Sequence, residues 1–118
     1  YGHSRGDEVL IVLATEMLNM FDDESFCIRY GGEEFLIITQ SNGQKTLLHK
    51  IEKIQNNLAH HNFEWLEEGY QISLTSGISR REGSEEISEI IVRADKSLYI
   101  GKQNGKNRII FDDNSLVL

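Results

Sequence analysis

Three groups of residues in this chain have side chains suited to chemistry. Gly31-Gly32-Glu33-Glu34-Phe35 sets two carboxylates directly after a pair of glycines. Lys102, Lys106 and Arg108 gather cationic charge near the C-terminal end, and Asp7 stands just ahead of an apolar stretch. A glycine pair permits a tight turn and lets a bulky phosphate come close to the backbone. Residues adjacent on a strand point to opposite faces, so Glu33 and Glu34 cannot both aim at one site. Glu33, nearest the turn, is the candidate for the lip of a cleft. There its carboxylate can hold Mg²⁺, a hard cation that takes a few oxygens along with substrate phosphates. It can also help remove the proton from an attacking hydroxyl. Taken alone, the same five residues favour a charged hairpin tip that keeps a sheet edge soluble. The basic group equally suits a solvated surface.

Composition narrows the choice. The 118 residues suit one domain with a single core. No apolar run approaches the roughly 18 residues of a membrane span, and the N-terminal residues lack the order of a signal peptide. Cys27 is the one cysteine, which excludes an internal disulfide and fits a reducing compartment, so the cytoplasm is expected. A net charge of −7 argues against general nucleic-acid binding, which needs basic patches. A small phosphorylated substrate remains open, held by a bound cation and a few local lysines.

The elements that must position these residues follow from periodicity. A first helix is expected to start near Arg5 to Asp7, with Asp7 as its cap or in its first turn. Leu10, Leu13, Ala14, Met17, Leu18 and Phe21 form its apolar stripe, and Asp22-Asp23 ends it. Phe26, Ile28 and Tyr30 alternate as on a strand, and Phe35 to Thr39 form another. The Gly-Gly between them predicts a tight primed hairpin turn with positive φ. Ser41-Asn42-Gly43 is a loop. A second helix runs from Lys45 to His60 with Leu47, Leu48, Ile51, Ile54 and Leu58 inward. Tyr70 to Ser79 reads as a strand. A third helix has the stripe Ile87, Ile90, Ile91, Ala94 and Leu98, with Gly105 as terminator. Arg108 to Phe111 is a short strand and Asp112 to Leu118 a tail. The order α-β-β-α-β-α-β predicts an α+β fold, helices packed on a mostly antiparallel sheet. No strand precedes the first helix, although a ferredoxin-like or cyclase-like palm begins with a central one. An N-terminal segment that lies outside this sequence, or another element, is expected to fill that place.

Four segments in order carry a resemblance. They are Gly2-His3 with Gly6-Asp7, Arg29-Tyr30-Gly31-Gly32-Glu33-Glu34-Phe35, Ser76-Gly77-Ile78, and Ala94-Asp95 through Leu98-Tyr99 and Lys102 to Gly105-Lys106-Asn107-Arg108. Across nearly the whole chain they resemble the GGDEF family of diguanylate cyclases, in its GGEEF variant. The resemblance implies a nucleotide-cyclase, palm-like fold and the joining of two GTP molecules into cyclic di-GMP and pyrophosphate. It implies that Glu33 is the catalytic, metal-binding carboxylate, with Mg²⁺ as cofactor and Mn²⁺ as an alternative. Glu34 then supports the turn or the surroundings of the 3′-hydroxyl, and Gly31 and Gly32 line the phosphates. Asp7 matches the aspartate that accepts guanine's N1-H and 2-amino group, a contact adenine cannot reproduce; a helix cap is its plainer role. Leu10 packs against the base or belongs to the core. Lys102 and Lys106 match the basic positions on the triphosphate, and four residues apart at a helix terminus they reach the same anion. Asp95 is assigned to fastening helix to sheet. Each domain holds one GTP, so a homodimer is implied, with a sensor domain fused upstream and no membrane contact by this domain.

Three departures qualify the resemblance. The family's upstream strand, with a metal-binding aspartate and a guanine-binding asparagine beyond it, precedes Gly2-His3 and is not in this sequence. The chain alone is therefore expected to bind GTP weakly or make no product. The family's product-inhibition Arg-x-x-Asp falls on Asp22 and Ser25, so inhibition through that site is not expected. Gly101 stands where alanine is usual, which should only loosen the helix end. The competing reading is a catalytically incomplete GGDEF module that binds GTP or mediates dimer contacts in regulation.

Overall fold

A computed structural model of the chain describes residues 3–21, 25–40, 43–111 and 116–117. The expected helix stop at Asp22-Asp23, the Ser41-Asn42 part of the loop and most of the Asp112 to Leu118 tail lie outside these residues, as does Gly2. Contacts divide the chain into two compact units, Tyr1–Ile72 and Ser73–Leu118.

In the first unit, α1 (His3–Met20) packs against α2 (Gln44–His60). Leu13 and Met17 of α1, Phe21 just beyond it, and Ile51, Ile54 and Leu58 of α2 are buried. Asn57 Nδ2 donates to Glu16 Oε2 at 2.9 Å across the pair. The stripe on α1 is narrower than its sequence predicts, because Leu18 is 67% exposed. Leu13, Met17 and Phe21 recur every fourth residue along one line, and Leu18 lies about 100° round from Met17.

Strands β1 (Phe26–Arg29) and β2 (Phe35–Ile38) form an antiparallel hairpin from Phe26↔Ile38 to Arg29↔Phe35. The hydroxyls of Ser25 and Thr39 bond at 2.7 Å beside its open end. The alternation expected on β1 does not appear in its burial: Phe26, Ile28, Arg29 and Tyr30 are all exposed and Cys27 is half-buried.

The second unit pairs β3 (Ser76–Ile78) in parallel with β4 (Ile109–Phe111), and the crossover a parallel pair requires is α3 (Ile87–Gln103). A two-residue strand, β5 (Leu116–Val117), pairs antiparallel with the other edge of β4. The expected tail therefore returns as a strand. Ile109, Ile110 and Phe111 are all buried, and β5 satisfies backbone groups that this inner strand would otherwise leave unpaired. The strand expected over Tyr70 to Ser79 is paired only at Ser76–Ile78, since its partner offers three residues. Antiparallel pairings outnumber the parallel one, and the described strands divide between two sheets in an α+β arrangement.

Helix α3 lies on β3 with no space between them. A Cβ on Gly77 would stand 2.3 Å from both the Ala94 carbonyl oxygen and the Leu98 nitrogen. Gly101 is a second point of approach, where a Cβ would meet Thr75 Cγ2 at 2.8 Å and Ile110 Cγ1 at 3.2 Å. Gly101 thus sets the helix–sheet distance instead of merely loosening the helix end. Ile87, expected in the apolar stripe, is 56% exposed because it is the first residue of α3, ahead of the seat on the sheet. Asp95 is exposed and has no bonding partner among the described residues, so the fastening role expected of it falls to the glycine contacts and to Ser79 Oγ, which donates to the Ile90 carbonyl at 2.5 Å.

Ahead of α3, the Glu85 carboxylate accepts the Glu82 amide at 2.8 Å and pairs with Arg93, whose Nη2 also donates to the Arg80 carbonyl at 2.6 Å. The Glu82 amide holds the Glu85 carboxyl below its ordinary value of 4.5; partial desolvation opposes this, and Arg93 and Arg81 add to the lowering. A carboxylate with a depressed folded-state pKa stabilises above its unfolded pKa and loses that contribution as pH falls through the folded value. Glu85→Gln should therefore lower the melting temperature at neutral pH, with the gap to the parent closing below about pH 4.5. A gap that stays constant through the acid range would contradict this account. Gly77→Ala must push α3 away from β3, and we expect it to cost about 1–3 kcal/mol or more, read from urea unfolding midpoints. An unchanged midpoint would show that the close approach is not required.

Candidate active site

In the first unit the strand pairing ends at Arg29↔Phe35, which leaves Tyr30 to Glu34 as the connecting loop. The loop is closed from within. The Glu34 carbonyl accepts the amides of Tyr30 at 2.8 Å and Gly31 at 3.2 Å, and Arg29 Nη2 donates to the Gly32 carbonyl at 2.7 Å. The expected primed turn does not form, because five residues share the reversal. Positive-φ glycines occur at Gly43, Gly69, Gly83 and Gly105, and neither Gly31 nor Gly32 is among them.

The backbone angles thus do not demand glycine at 31 or 32, and neither does packing. A Cβ on Gly32 would meet nothing within 4 Å; one on Gly31 would make only ordinary contact with Glu34 at 3.8 Å. What the two glycines provide is an exposed loop whose backbone stays uncovered, which suits a ligand that comes close to the main chain. Glu33 is exposed, and its carboxylate has no bonding partner among the described residues. The neighbouring Glu34 is half-buried and turned back toward Gly31, so the two carboxylates have different surroundings.

Asp7 is neither the cap nor in the first turn of α1. The helix already begins at His3, since nothing in His3-Ser4-Arg5-Gly6 stops it outright. Asp7 is exposed one turn further in, and Leu10, three residues on along the same face, is half-buried. The Asp22 position lies outside the described residues, and Ser25 is engaged with Thr39. Cys27 is half-buried, which pushes its thiol up from the ordinary range and fits a structural residue.

In the second unit, α3 ends in a Schellman turn. The Lys106 amide bonds to the Gly101 carbonyl at 3.0 Å, with Gly105 at φ 107. Lys102 lies in the last helical turn, whereas Lys106 lies beyond the helix, so the two do not share a helical face as their spacing predicts. Both are exposed. Lys106 (φ 61) and Asn107 (φ 47) are left-handed residues without being glycine, a conformation that costs the lysine about 1–2 kcal/mol and that asparagine enters more readily. The Asn107 amide is held by Thr75 Oγ1 at 3.0 Å, and Arg108 Nε donates to the Lys106 carbonyl at 3.0 Å. Thr75, which supports this turn and also covers Gly101, carries no sequence signal that sets it apart from other strand threonines. The indole of Trp65, which donates to Glu8 Oε2 at 2.6 Å, is the other supporting group that periodicity misses.

Among the described residues no three His, Cys, Asp or Glu side chains gather as a metal cage, and no helix is long and apolar enough to cross a membrane. Residues 1–108 match the family described as "Diguanylate cyclase, GGDEF domain". The chain belongs to the GGDEF family. It is 39% identical over 109 residues to a diguanylate cyclase of Vibrio cholerae serotype O1, covering 92% of this chain and 33% of the relative. It is 36% identical to diguanylate cyclase DgcZ of Escherichia coli K12, covering 100% of this chain and 40% of the relative. The chain thus spans about a third to two fifths of the curated relatives it matches. Among solved structures, the active GGEEF domain of a Vibrio cholerae diguanylate cyclase superposes with a TM-score of 0.82 at 38% identity, over 98% of this chain and 73% of that one. The GGDEF domain of DgcB from Caulobacter crescentus, solved in complex with c-di-GMP, gives 0.82 at 26% identity over 96% and 68%. The α+β fold of this GGDEF domain is that of these structures.

The loop geometry makes a sharp contrast testable. Gly32→Ala should leave unfolding free energy within about 0.5 kcal/mol of the parent, because its site is open and unstrained. Gly105→Ala, at a positive φ, should cost about 1 kcal/mol in the same urea titration. Equal losses in the two variants would refute the view that Gly32 is free of a folding role.

Proposed function

We propose that this GGDEF domain is the catalytic part of a diguanylate cyclase, joining two GTP molecules into cyclic di-GMP. The observation that carries the reading is the Gly31-Gly32 backbone, left uncovered where folding does not demand glycine, beside the exposed and unpartnered carboxylate of Glu33. Likeness to the Vibrio cholerae and Escherichia coli cyclases supports the same reaction.

In that reaction the 3′-oxygen of one GTP attacks the α-phosphorus of the other. A P–O bond forms to the 3′-oxygen, the bond to the pyrophosphate oxygen breaks, and the hydroxyl proton passes to a base. A second such step closes the ring. Asp7 would accept guanine's N1-H and 2-amino group with Leu10 flanking the base. Gly31 and Gly32 would let the phosphates lie against the main chain, and Lys102 and Lys106 would offset triphosphate charge. Glu33 would take up the proton or hold the metal. The family's cyclases generally use a divalent metal. Glu33 would supply one carboxylate to Mg²⁺, or Mn²⁺ in its place, with the aspartate of the family's upstream strand as the second and water and substrate phosphates in the other positions. When bound, it supplies charge neutralisation at the reacting phosphates.

Because each domain holds one GTP, the reading requires a homodimer with two domains facing each other, and it places the reaction in the cytoplasm. The test is cyclic di-GMP formation from GTP and Mg²⁺ by the protein that carries this domain. Glu33→Ala should reduce the rate by about 10²–10³ or more while leaving the fold intact. Undiminished synthesis by that variant would defeat the assignment of Glu33. GTP binding without any product in the parent would favour the regulatory module instead.

A further inference from the structure

The first turns of α1 contain an intrinsic weakness. Gly6 lies inside the helix, where glycine costs about 1 kcal/mol relative to alanine. No close packing calls for it, since a Cβ there would meet nothing within 4 Å. Asp7 follows immediately, so an end that frays would carry that carboxylate with it.

The loop after α2 reaches back to this point. Phe63 anchors the loop, 3% exposed, with the rings of His61 and Trp65 centred 4.5 and 5.2 Å from its own. Trp65 then engages α1 on both sides of the weak spot. Its indole N–H donates to Glu8 Oε2 at 2.6 Å, and the Arg5 guanidinium lies 5.7 Å from the ring centroid. Arg5 and Glu8 are three residues apart and share a helix face. Asp7 lies about 200° round from Arg5, so its side chain is directed elsewhere. The clamp holds the backbone that carries Asp7 without occupying the carboxylate.

We propose that Trp65, acting through Arg5 and Glu8, is a positioning element for Asp7 and thereby sets the guanine specificity of this domain. The inference rests on the proposed role of Asp7 as the acceptor for guanine. A carboxylate contacting both N1-H and the 2-amino group requires a fixed angle to the base. Loosening the helix end weakens the second contact while leaving phosphate binding intact.

Inosine triphosphate lacks the 2-amino group, so the ratio of its dissociation constant to that of GTP reads this contact directly. Calorimetric titration with each nucleotide and Mg²⁺ would compare the parent, Asp7→Asn, Trp65→Phe, Glu8→Ala and Glu8→Gln, with melting temperatures taken alongside. The parent should favour GTP by about tenfold or more, as expected for a hydrogen bond to a charged group. Asp7→Asn should collapse that ratio. Trp65→Phe, which keeps an aromatic ring but loses the donor, should reduce it at least threefold, and so should Glu8→Ala at an exposed position that does not endanger folding. Glu8→Gln retains an acceptor for the indole and should restore most of the preference. If Asp7→Asn collapses the ratio while Trp65→Phe and Glu8→Ala preserve it, the positioning role is wrong and the reading of Asp7 survives. A ratio unaffected by Asp7→Asn overturns both. A fall in melting temperature with an unchanged ratio would mean that Trp65 is structural only.

Discussion

Helix α3 can occupy its place only because residue 77 has no side chain. The Gly77 backbone faces the Ala94 carbonyl and the Leu98 amide at distances that exclude even a methyl group. That contact fixes the middle of the helix, and Gly101 against Thr75 and Ile110 fixes its end. With two points on the sheet the helix cannot pivot, so its termination is fixed as well. The Schellman turn then follows from the same end, with the Lys106 amide closing onto the carbonyl of Gly101, the residue seated on the sheet. Thr75 serves both contacts, covering Gly101 with its methyl and holding the Asn107 amide with its hydroxyl. The left-handed strain at Lys106 and Asn107 is therefore sustained by packing deeper in the unit. Lys102 and Lys106 thus take their positions from the helix end that Gly101 seats on the sheet.

The hairpin reaches a comparable definition by another route. Its loop does not depend on glycine flexibility, since the Glu34 carbonyl and the Arg29 guanidinium close it with three hydrogen bonds. The glycines are thereby released from a conformational duty and serve as absence of side chain. That distinction separates two uses of glycine in one sequence. Gly77 and Gly101 lack side chains because protein fills the space, whereas a Cβ on Gly32 would meet no described atom within 4 Å.

Much of this was legible in the sequence, and what was not has physical causes. Periodicity located both long helices of the first unit, the hairpin and the α3 stripe, because apolar spacing reports directly on which face is covered. It does not report how wide the cover is, so Leu18 and Ile87 read as inward although each is more than half exposed. The motif placed Glu33 and the glycine pair on a connecting loop, but the turn type depended on the Arg29 and Glu34 bonds, which no dipeptide rule encodes. The i, i+4 spacing of Lys102 and Lys106 implied a shared face, and the helix end between them removed it. The return of Leu116 and Val117 onto β4 is a pairing fixed by the unpaired edge of a buried strand, and a short apolar run carries no sign of its partner. The resemblance in four ordered segments reaches the family, where the five residues taken alone favour a charged hairpin tip.

A chain with a net charge of −7 would have to take up a nucleoside triphosphate, as proposed, against its own average field. Screening makes this feasible, because at physiological ionic strength charges beyond about 8 Å contribute little. What would count is then the immediate surroundings of each phosphate, for which the uncovered main chain of Gly31-Gly32 in the first unit and Lys102 and Lys106 in the second are the groups proposed. An acidic residue at such a place would ordinarily be a liability, and Glu33 is one, exposed and without a compensating cation among the described residues. A carboxylate kept unpaired beside a phosphate path makes electrostatic sense if a divalent cation stands between the two. It makes none as a bare neighbour. A divalent cation binding at this loop would have no ion pair of Glu33 to break among the described residues.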